Sequence, residues 1–300
     1  MTTALSYFDA ETVRQHLKMA ELIPAMEQAL IDFSSGRVVQ PVRNGIIEER
    51  VGGFFFMMPA LGQALGVKVV SFFPKNAERG LPTHTATILL ADPETGMPLA
   101  LMDGTVITEM RTAAVSAVAT RLLAPSDARV LAILGSGVQA RSHWEALRSV
   151  RDFREIRVWS PNEEHAARLA AEIGGVAQGP EEAVRGADVV VTVTSSQTPV
   201  LKGECLKPGC HVNAVGACRP DWRELDDAAM RHAIFVDSRE GALRESGDIL
   251  LSGAQIYAEL GEALAGTVPS REEETTIFKS LGMAIEDVVA AMLVYRKLAL

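Results

Sequence analysis

From Ala128 onward short apolar runs alternate with helix-patterned stretches, and few folds accommodate that alternation. The runs are ARVLAIL, EIRVWS, ADVVVTVT, HVNAVG and AIFVDS, and VQARSHWEALRSV and NEEHAARLAAEIG separate the first three. Strands spaced by helices of about 10 to 15 residues require right-handed crossovers, which build a doubly wound parallel sheet covered on both faces. Gly135-Ser136-Gly137-Val138-Gln139-Ala140 follows the first run and opens the first helix. In this G-x-G-x-x-A pattern the first glycine makes the tight turn, the second lets backbone approach a pyrophosphate, and the small last residue allows close helix–strand packing. The helix start adds free N–H groups and a positive dipole end. A Rossmann-type dinucleotide site is therefore expected.

An acid about 20 residues downstream normally binds an unphosphorylated ribose. Here the second strand ends Val158-Trp159-Ser160-Pro161-Asn162, and the first acid is Glu163. Hydroxyl and amide groups at that tip, with Arg157 or Arg168 in reach, favour NADP(H) and leave NAD(H) open. Ser160 and Asn162 also suit helix capping.

The chain before Pro125 is organised differently. Apolar spacing from Glu11 to Phe33 predicts helix, with Pro24 separating two segments. Between Val38 and Ala100, runs such as GFFFMMP, GVKVVSFFP and THTATILLAD, with a turn at Pro93–Gly96, predict an antiparallel or mixed sheet. A helix is expected from Thr108 to Pro125, and TTIFKSLGMAIEDVVAAMLVYRKLAL reads as one long terminal helix that returns to this first domain. The fold class is α/β: a Rossmann-type domain plus an α+β domain.

Charge and cysteine content exclude several partners. With 29 Lys and Arg against 38 Asp and Glu, the formal charge of −9 repels nucleic acid and anionic membranes. The longest uncharged stretch, Val51–Val67, contains Pro59 and four glycines and is shorter than the roughly 20 apolar residues of a spanning helix. Cys205, Cys210 and Cys218 form an odd set without a C-x-x-C pair, which fits a reducing compartment and a cytoplasmic location. Cys205 and Cys210 lack suitably spaced partners for zinc, so no metal is expected.

Three cations stand out in the first domain. Lys68 interrupts the apolar strand GVKVV, either snorkelling at an edge or facing a ligand carboxylate. Arg111 falls in a first helical turn if Thr108 caps the helix, where its charge opposes the dipole unless an anion binds. Arg43, in QPVRNG, is the third, with an exposed loop arginine as the plain reading. Phe54, Phe56 and Met58 alternate along one strand and suit either a ring pocket or core packing. His143, His165 and His232 read as helix-surface or capping residues.

GLPTHTA at 80–86, ITEMRTAA at 107–114, the Gly135–Ala140 turn and GACRPDWREL at 216–225 together resemble the ornithine cyclodeaminase/μ-crystallin family over nearly the whole chain. The resemblance implies a homodimer. Residues 1–113 and 284–300 would form the dimerisation and substrate domain, and residues 114–283 the NAD(P)-binding domain. It makes Arg43, Lys68 and Arg111 the group holding a substrate carboxylate, with Lys68 and Arg111 catalytic and His84 either touching substrate or structural. Around the cofactor it places Thr83, Arg111, Thr112, Val138, Gln139, Ser160, Thr194 and Ser280; Gly135 and Gly137 of the turn, Asn162 at the strand tip and Ser195 are further candidates for binding it. Trp222 either covers the nicotinamide or packs its loop.

Two departures select the branch. Cyclodeaminases carry a glutamate and an aspartate where this chain has Phe56 and Cys218, and oxidative deamination needs a base. The loop around Cys218 is instead similar to that of ketimine reductases, implying reduction of a small cyclic imino acid such as Δ1-pyrroline-2-carboxylate or Δ1-piperideine-2-carboxylate. The alternatives are an amino-acid dehydrogenase, a true ornithine cyclodeaminase, and a non-catalytic protein that binds NADPH with a small ligand.

Overall fold

The computed structural model describes residues 5–271 and 273–299. They divide into two compact units, 1–111 with 283–300 and 112–282. The first unit opens with strand β1 (Ser6–Phe8) and helices α1 (Ala10–His16) and α2 (Met19–Ser34). Five strands follow: β2 (Asn44–Glu48), β3 (Gly53–Leu61), β4 (Leu65–Phe72), β5 (His84–Ala91) and β6 (Pro98–Asp103). The sheet order is β1-β6-β5-β4-β3-β2, antiparallel apart from the parallel β1–β6 edge pair. Period-two alternation buries Met58, Ala60, Lys68, Val70, Ile88 and Leu90 on one face.

Helix α3 (Gly104–Leu123) leads toward the second unit. That unit contains β7 (Val130–Leu134), α4 (Val138–Leu147), β8 (Glu155–Trp159), α5 (Glu163–Ile173), β9 (Val176–Ala177), α6 (Pro180–Val184), β10 (Val189–Thr192) and β11 (His211–Ala214). It continues through β12 (Ala233–Val236), α7 (Arg239–Glu245), α8 (Gly247–Ser252), β13 (Ile256–Glu259), α9 (Leu260–Leu264) and β14 (Thr276–Lys279). All eight strands are parallel, in the order β13-β12-β14-β11-β10-β7-β8-β9. The order reverses between β7 and β10, which places the crevice for a ligand at the carboxyl ends of those strands. Helix α10 (Ala284–Leu298) belongs to the first unit and packs on α2, β3, β4 and β5. Gly66 permits that approach, since a Cβ there would meet Leu89 O at 2.7 Å and the Val288 side chain at 3.2 Å.

Three expectations are corrected. Pro24 lies inside α2, and the helical break falls instead at Leu17 and Lys18, both extended. A proline in the second turn forgoes one backbone bond near the helix start, a smaller disruption than in mid-helix. Helix α3 starts at Gly104, not Thr108, because Asp103 Oδ1 accepts the N–H of Val106 at 2.8 Å. The stretch read as one terminal helix contains β14, a wholly buried interior strand whose four residues show no alternation.

Candidate active site

On the buried face of the first unit's sheet, β4 presents Lys68 between its register partners Met58 of β3 and Ile88 of β5. The strand is interior and Lys68 is only 2% exposed, so the lysine does not snorkel at an edge. Its Nζ pairs with Asp287 Oδ2 at 2.5 Å and donates to Thr108 Oγ1 at 3.3 Å. Arg111 reaches the same helix, donating from Nε to Asp287 Oδ1 at 2.9 Å and from Nη1 to Glu286 Oε2 at 2.7 Å. Both acids are fully buried in the first turn of α10, where the helix dipole favours negative charge.

Arg111 therefore stands about two turns inside α3, and the reading of it as a first-turn cation facing the dipole is wrong. Its position follows instead from carboxylates on α10. Burial pushes the Lys68 ammonium down to about 8; Asp287 opposes that shift, and Arg111 and Arg43 add to it. Arg43 is half-buried and close enough for its charge to act on Lys68. Burial, then the charges of Lys68 and Arg111, lower the His84 imidazole below its ordinary value, so it is neutral at physiological pH.

Pairing in register puts Phe54, Phe72 and His84 across one row of this face and Phe56, Val70 and Ala86 across the next. Phe54 stacks on Phe56 at 5.9 Å and on Phe72 at 6.3 Å between ring centroids. The face thus combines an apolar wall with an ammonium and a guanidinium, which suits a small carboxylate-bearing ring. Thr83 adjoins the start of β5, its carbonyl accepting from Phe73 N at 2.8 Å.

In the second unit the glycine turn fits a dinucleotide. Gly135 has φ +132°, and a Cβ there would strike Val193 O at 2.7 Å, so β7 and the loop after β10 cross closely only at glycine. Around Gly137, by contrast, a Cβ would meet nothing within 4 Å, leaving room for a ligand beside the start of α4. Val138 is exposed there, while Gln139 Oε1 and Ser280 Oγ are buried without a hydrogen-bond partner. Open space at the turn and two orphaned polar atoms match the needs of a dinucleotide.

At the tip of β8, the Ser160 hydroxyl accepts from Ser136 Oγ at 2.9 Å, and Asn162 caps α5 by accepting from His165 N at 3.0 Å. Arg157 is engaged elsewhere, on Glu155 and on carbonyls at the end of α6, which corrects its reading as a phosphate ligand. Arg168 is exposed on α5. The cation that does reach the turn is Arg141, donating to Ser136 O at 3.3 Å and paired with Glu172 at 2.9 Å.

Ser195 is exposed and Thr112 buried. Thr194 is bound to the loop after β11: its N–H and hydroxyl both donate to Glu224 Oε1, at 2.6 and 2.7 Å. Glu224 also accepts from Thr192 Oγ1 and Gly216 N at 2.7 Å each, so one buried carboxylate fixes the loops after β10 and β11. Asp248 continues the network, accepting the backbone N–H of Glu224 and pairing with Lys279 Nζ at 3.0 Å. Trp222 is half-buried, with the Arg219 guanidinium 4.9 Å above its ring. His143 is fully buried, between Ser116 Oγ and Gln139 O, not a surface residue. Among the described residues no group of three or more His, Cys, Asp or Glu could hold a metal ion, and no helix is long and apolar enough to cross a membrane.

Sequence reasoning passed over Glu224, Glu286 and Asp287. For the last two a signal existed, since they are the only charges in the apolar stretch MAIEDVVAAM. An acid pair in such a run requires buried cations.

Comparison with known proteins places these features in context. The sequence profile of the Ornithine cyclodeaminase/mu-crystallin family matches residues 6–299. The mouse ketimine reductase mu-crystallin is 51% identical over 306 residues, 98% of each chain. The structure of Thermococcus litoralis Δ1-pyrroline-2-carboxylate reductase, in complex with NADH and L-proline, superposes with a TM-score of 0.93 at 39% identity over 98% of each chain. An archaeal alanine dehydrogenase dimer with bound NAD gives 0.94 at 35% identity, covering 98% of this chain and 96% of the other.

Proposed function

Because the chain belongs to the ornithine cyclodeaminase/mu-crystallin family, we propose that it is an NAD(P)H-dependent reductase of a small cyclic imino acid, converting Δ1-pyrroline-2-carboxylate or Δ1-piperideine-2-carboxylate to proline or pipecolate. One observation carries the choice of reaction: the face that presents Lys68 has the Phe56 ring, stacked on Phe54, where a cyclodeaminase would need a carboxylate base. Cys218, at the second such position, is an exposed thiol. Reducing a preformed imine requires only a grip on its carboxylate, a hydride and one proton.

A reduced nicotinamide dinucleotide, when bound, supplies the hydride. Gly135, Gly137, Val138, Gln139, Ser160, Asn162, Thr194, Ser195, Trp222 and Ser280 hold it, with Thr83, Arg111 and Thr112 contributing. Arg43, Lys68 and Arg111 take the substrate carboxylate, the phenylalanine wall takes the ring methylenes, and neutral His84 offers a hydrogen bond. Lys68 supplies the proton, since an ammonium with a pKa near 8 transfers it at neutral pH. Positioning the imine and stabilising anionic charge away from water lower the barrier.

NADP(H) is the favoured form, because the hydroxyls of Ser136 and Ser160 and the Arg141 guanidinium gather between the glycine turn and the tip of β8, where they would meet a 2′-phosphate, with no acid ending β8. The first unit serves as the dimerisation and substrate domain, the second as the dinucleotide domain. A homodimer through the outward face of the first sheet fits its exposed Ile46, Phe55 and Met57. Three free cysteines suit the cytoplasm.

Initial rates of NADPH and NADH oxidation with five- and six-membered cyclic imino acids test the function. Turnover of either imine is expected. Turnover of a linear 2-oxo acid with ammonia alone would favour an amino-acid dehydrogenase, ammonia release from ornithine a cyclodeaminase, and cofactor binding with no turnover a binding protein.

A further inference from the structure

We propose that Asp287 is a positioning residue for this reduction: its carboxylate holds the Lys68 ammonium at the imine nitrogen and keeps it charged, so that Lys68 acts as the acid while Arg111 retains the substrate carboxylate. The inference rests on the reductase reading above. Its basis is the geometry of a single buried carboxylate that bridges the two cations, with Oδ2 on Lys68 Nζ at 2.5 Å and Oδ1 on Arg111 Nε at 2.9 Å.

Lys68 has three N–H donors. Thr108 Oγ1 accepts from one of them, and the Asp287 carboxylate lies against the ammonium as an ion pair at 2.5 Å, so Nζ is held in place from two sides. A lysine held in this way adds its charge to the carboxylate grip of Arg43 and Arg111 and presents one proton to one atom. Arg111 contacts α10 through two different nitrogens, reaching Glu286 as well as Asp287, so the guanidinium plane is locked.

The charged and titratable groups facing Lys68 come from four elements: Asp287 on α10, Arg111 on α3, Arg43 in the loop before β2, and His84, uncharged, on β5. Among these Asp287 alone favours the ammonium, against burial and two guanidinium groups. In the step itself the imine carbon accepts the hydride, the C=N π pair becomes a nitrogen lone pair, and that lone pair takes a proton from Lys68 Nζ. The amine forms, the dinucleotide is left oxidised, and Lys68 regains its proton from solvent. Asp287 stays ionised throughout, and Arg111 balances its charge while Lys68 is neutral.

The test compares wild type, Asp287→Asn, Asp287→Glu and Lys68→Met, using Δ1-piperideine-2-carboxylate with NADPH or NADH from pH 6 to 10. Binding of pyrrole-2-carboxylate, a planar ring bearing the same acid group, is measured in parallel. Asp287→Asn is expected to lower kcat about 100-fold, to change pyrrole-2-carboxylate affinity less than about fivefold, and to move the alkaline fall in rate from near pH 8 down by about one unit. Asp287→Glu is expected to recover rate to within about tenfold of wild type and to restore the alkaline limb. If Asp287→Asn does not fold, the limb position in Asp287→Glu decides. Adding Asp287→Asn to Lys68→Met should cost little more, because the aspartate acts through the lysine. Equal loss of rate and affinity at every pH, with no shift of the limb, would overturn the assignment and make Asp287 merely structural. An active wild type whose kcat survives Asp287→Asn would also overturn it, leaving the reductase reading intact. A wild type inert toward every cyclic imine would overturn both.

Discussion

Replacing Arg111 with lysine keeps the charge but removes the geometry, and the structure sets the size of the effect. The guanidinium engages two buried acids at once, Asp287 through Nε at 2.9 Å and Glu286 through Nη1 at 2.7 Å. One ammonium cannot span both and also meet a substrate carboxylate. Losing one charge-assisted hydrogen bond in the interior costs about 1.5–3 kcal/mol. For a chain of this size, that lowers the thermal midpoint by roughly 3–6 °C. If Arg111 also grips a desolvated substrate carboxylate, kcat/KM falls by a further 2 kcal/mol or so, about 30-fold. Circular dichroism melts and steady-state rates on the same preparation separate the two effects. A lysine variant that melts within about 1 °C of wild type and keeps kcat/KM within about threefold would refute the reasoning, because neither acid pair nor substrate would then depend on the guanidinium fork.

Further outcomes follow from other parts of the structure. Ser160→Asp places a carboxylate at the tip of β8, and the ratio of kcat/KM for NADPH over NADH should fall at least about tenfold; an unchanged ratio would place a 2′-phosphate elsewhere. Burial pushes His143 and His211 down to about 4 and about 3, whereas in the unfolded chain both titrate near 6.5. Below pH 6.5 the unfolded chain therefore takes protons that the folded chain refuses. Stability should fall as pH drops from 6.5 toward 4, and His143→Gln should flatten that slope in denaturant titrations; an unchanged slope counts against the buried neutral ring. Met57→Glu on the exposed sheet face is expected to halve the mass seen by sedimentation equilibrium with the fold intact. A wild-type chain that is already monomeric would remove this face as a dimer interface.

How much of this was legible in the sequence depended on how local each cause is. The Gly135 turn and five Rossmann strands were readable because a positive φ, a helix start and apolar runs are short-range properties. Strand β14 was not: TIFK is four buried strand residues shortly before the GMAIED helix start, and a buried run of that length carries no period. The start of α3 was misplaced because Asp103, the residue that accepts from Val106, also ends a strand, whereas Thr108 looks like a better cap. That error produced a dipole argument for Arg111 with the wrong cause. The cation is justified by Glu286 and Asp287, some 175 residues away in sequence; the acids in MAIEDVVAAM call for buried cations, but no local pattern says which ones. Similarly Lys68 was noticed as an oddity in an apolar strand, but its partner lies on the terminal helix. Glu224 went unnoticed because its carboxylate binds loops brought together only by the parallel sheet.

The most direct measurement is a crystal structure of the chain with NADP+ and L-pipecolate or L-proline. The ligand carboxylate is expected within about 3 Å of guanidinium nitrogens of Arg111 and Arg43, with the ring nitrogen at the same distance from Lys68 Nζ and the ring methylenes against Phe54 and Phe56. An imino-acid ring lodged elsewhere, with these three cations turned away from it, would contradict the account even if the dinucleotide lay along the Gly135 turn.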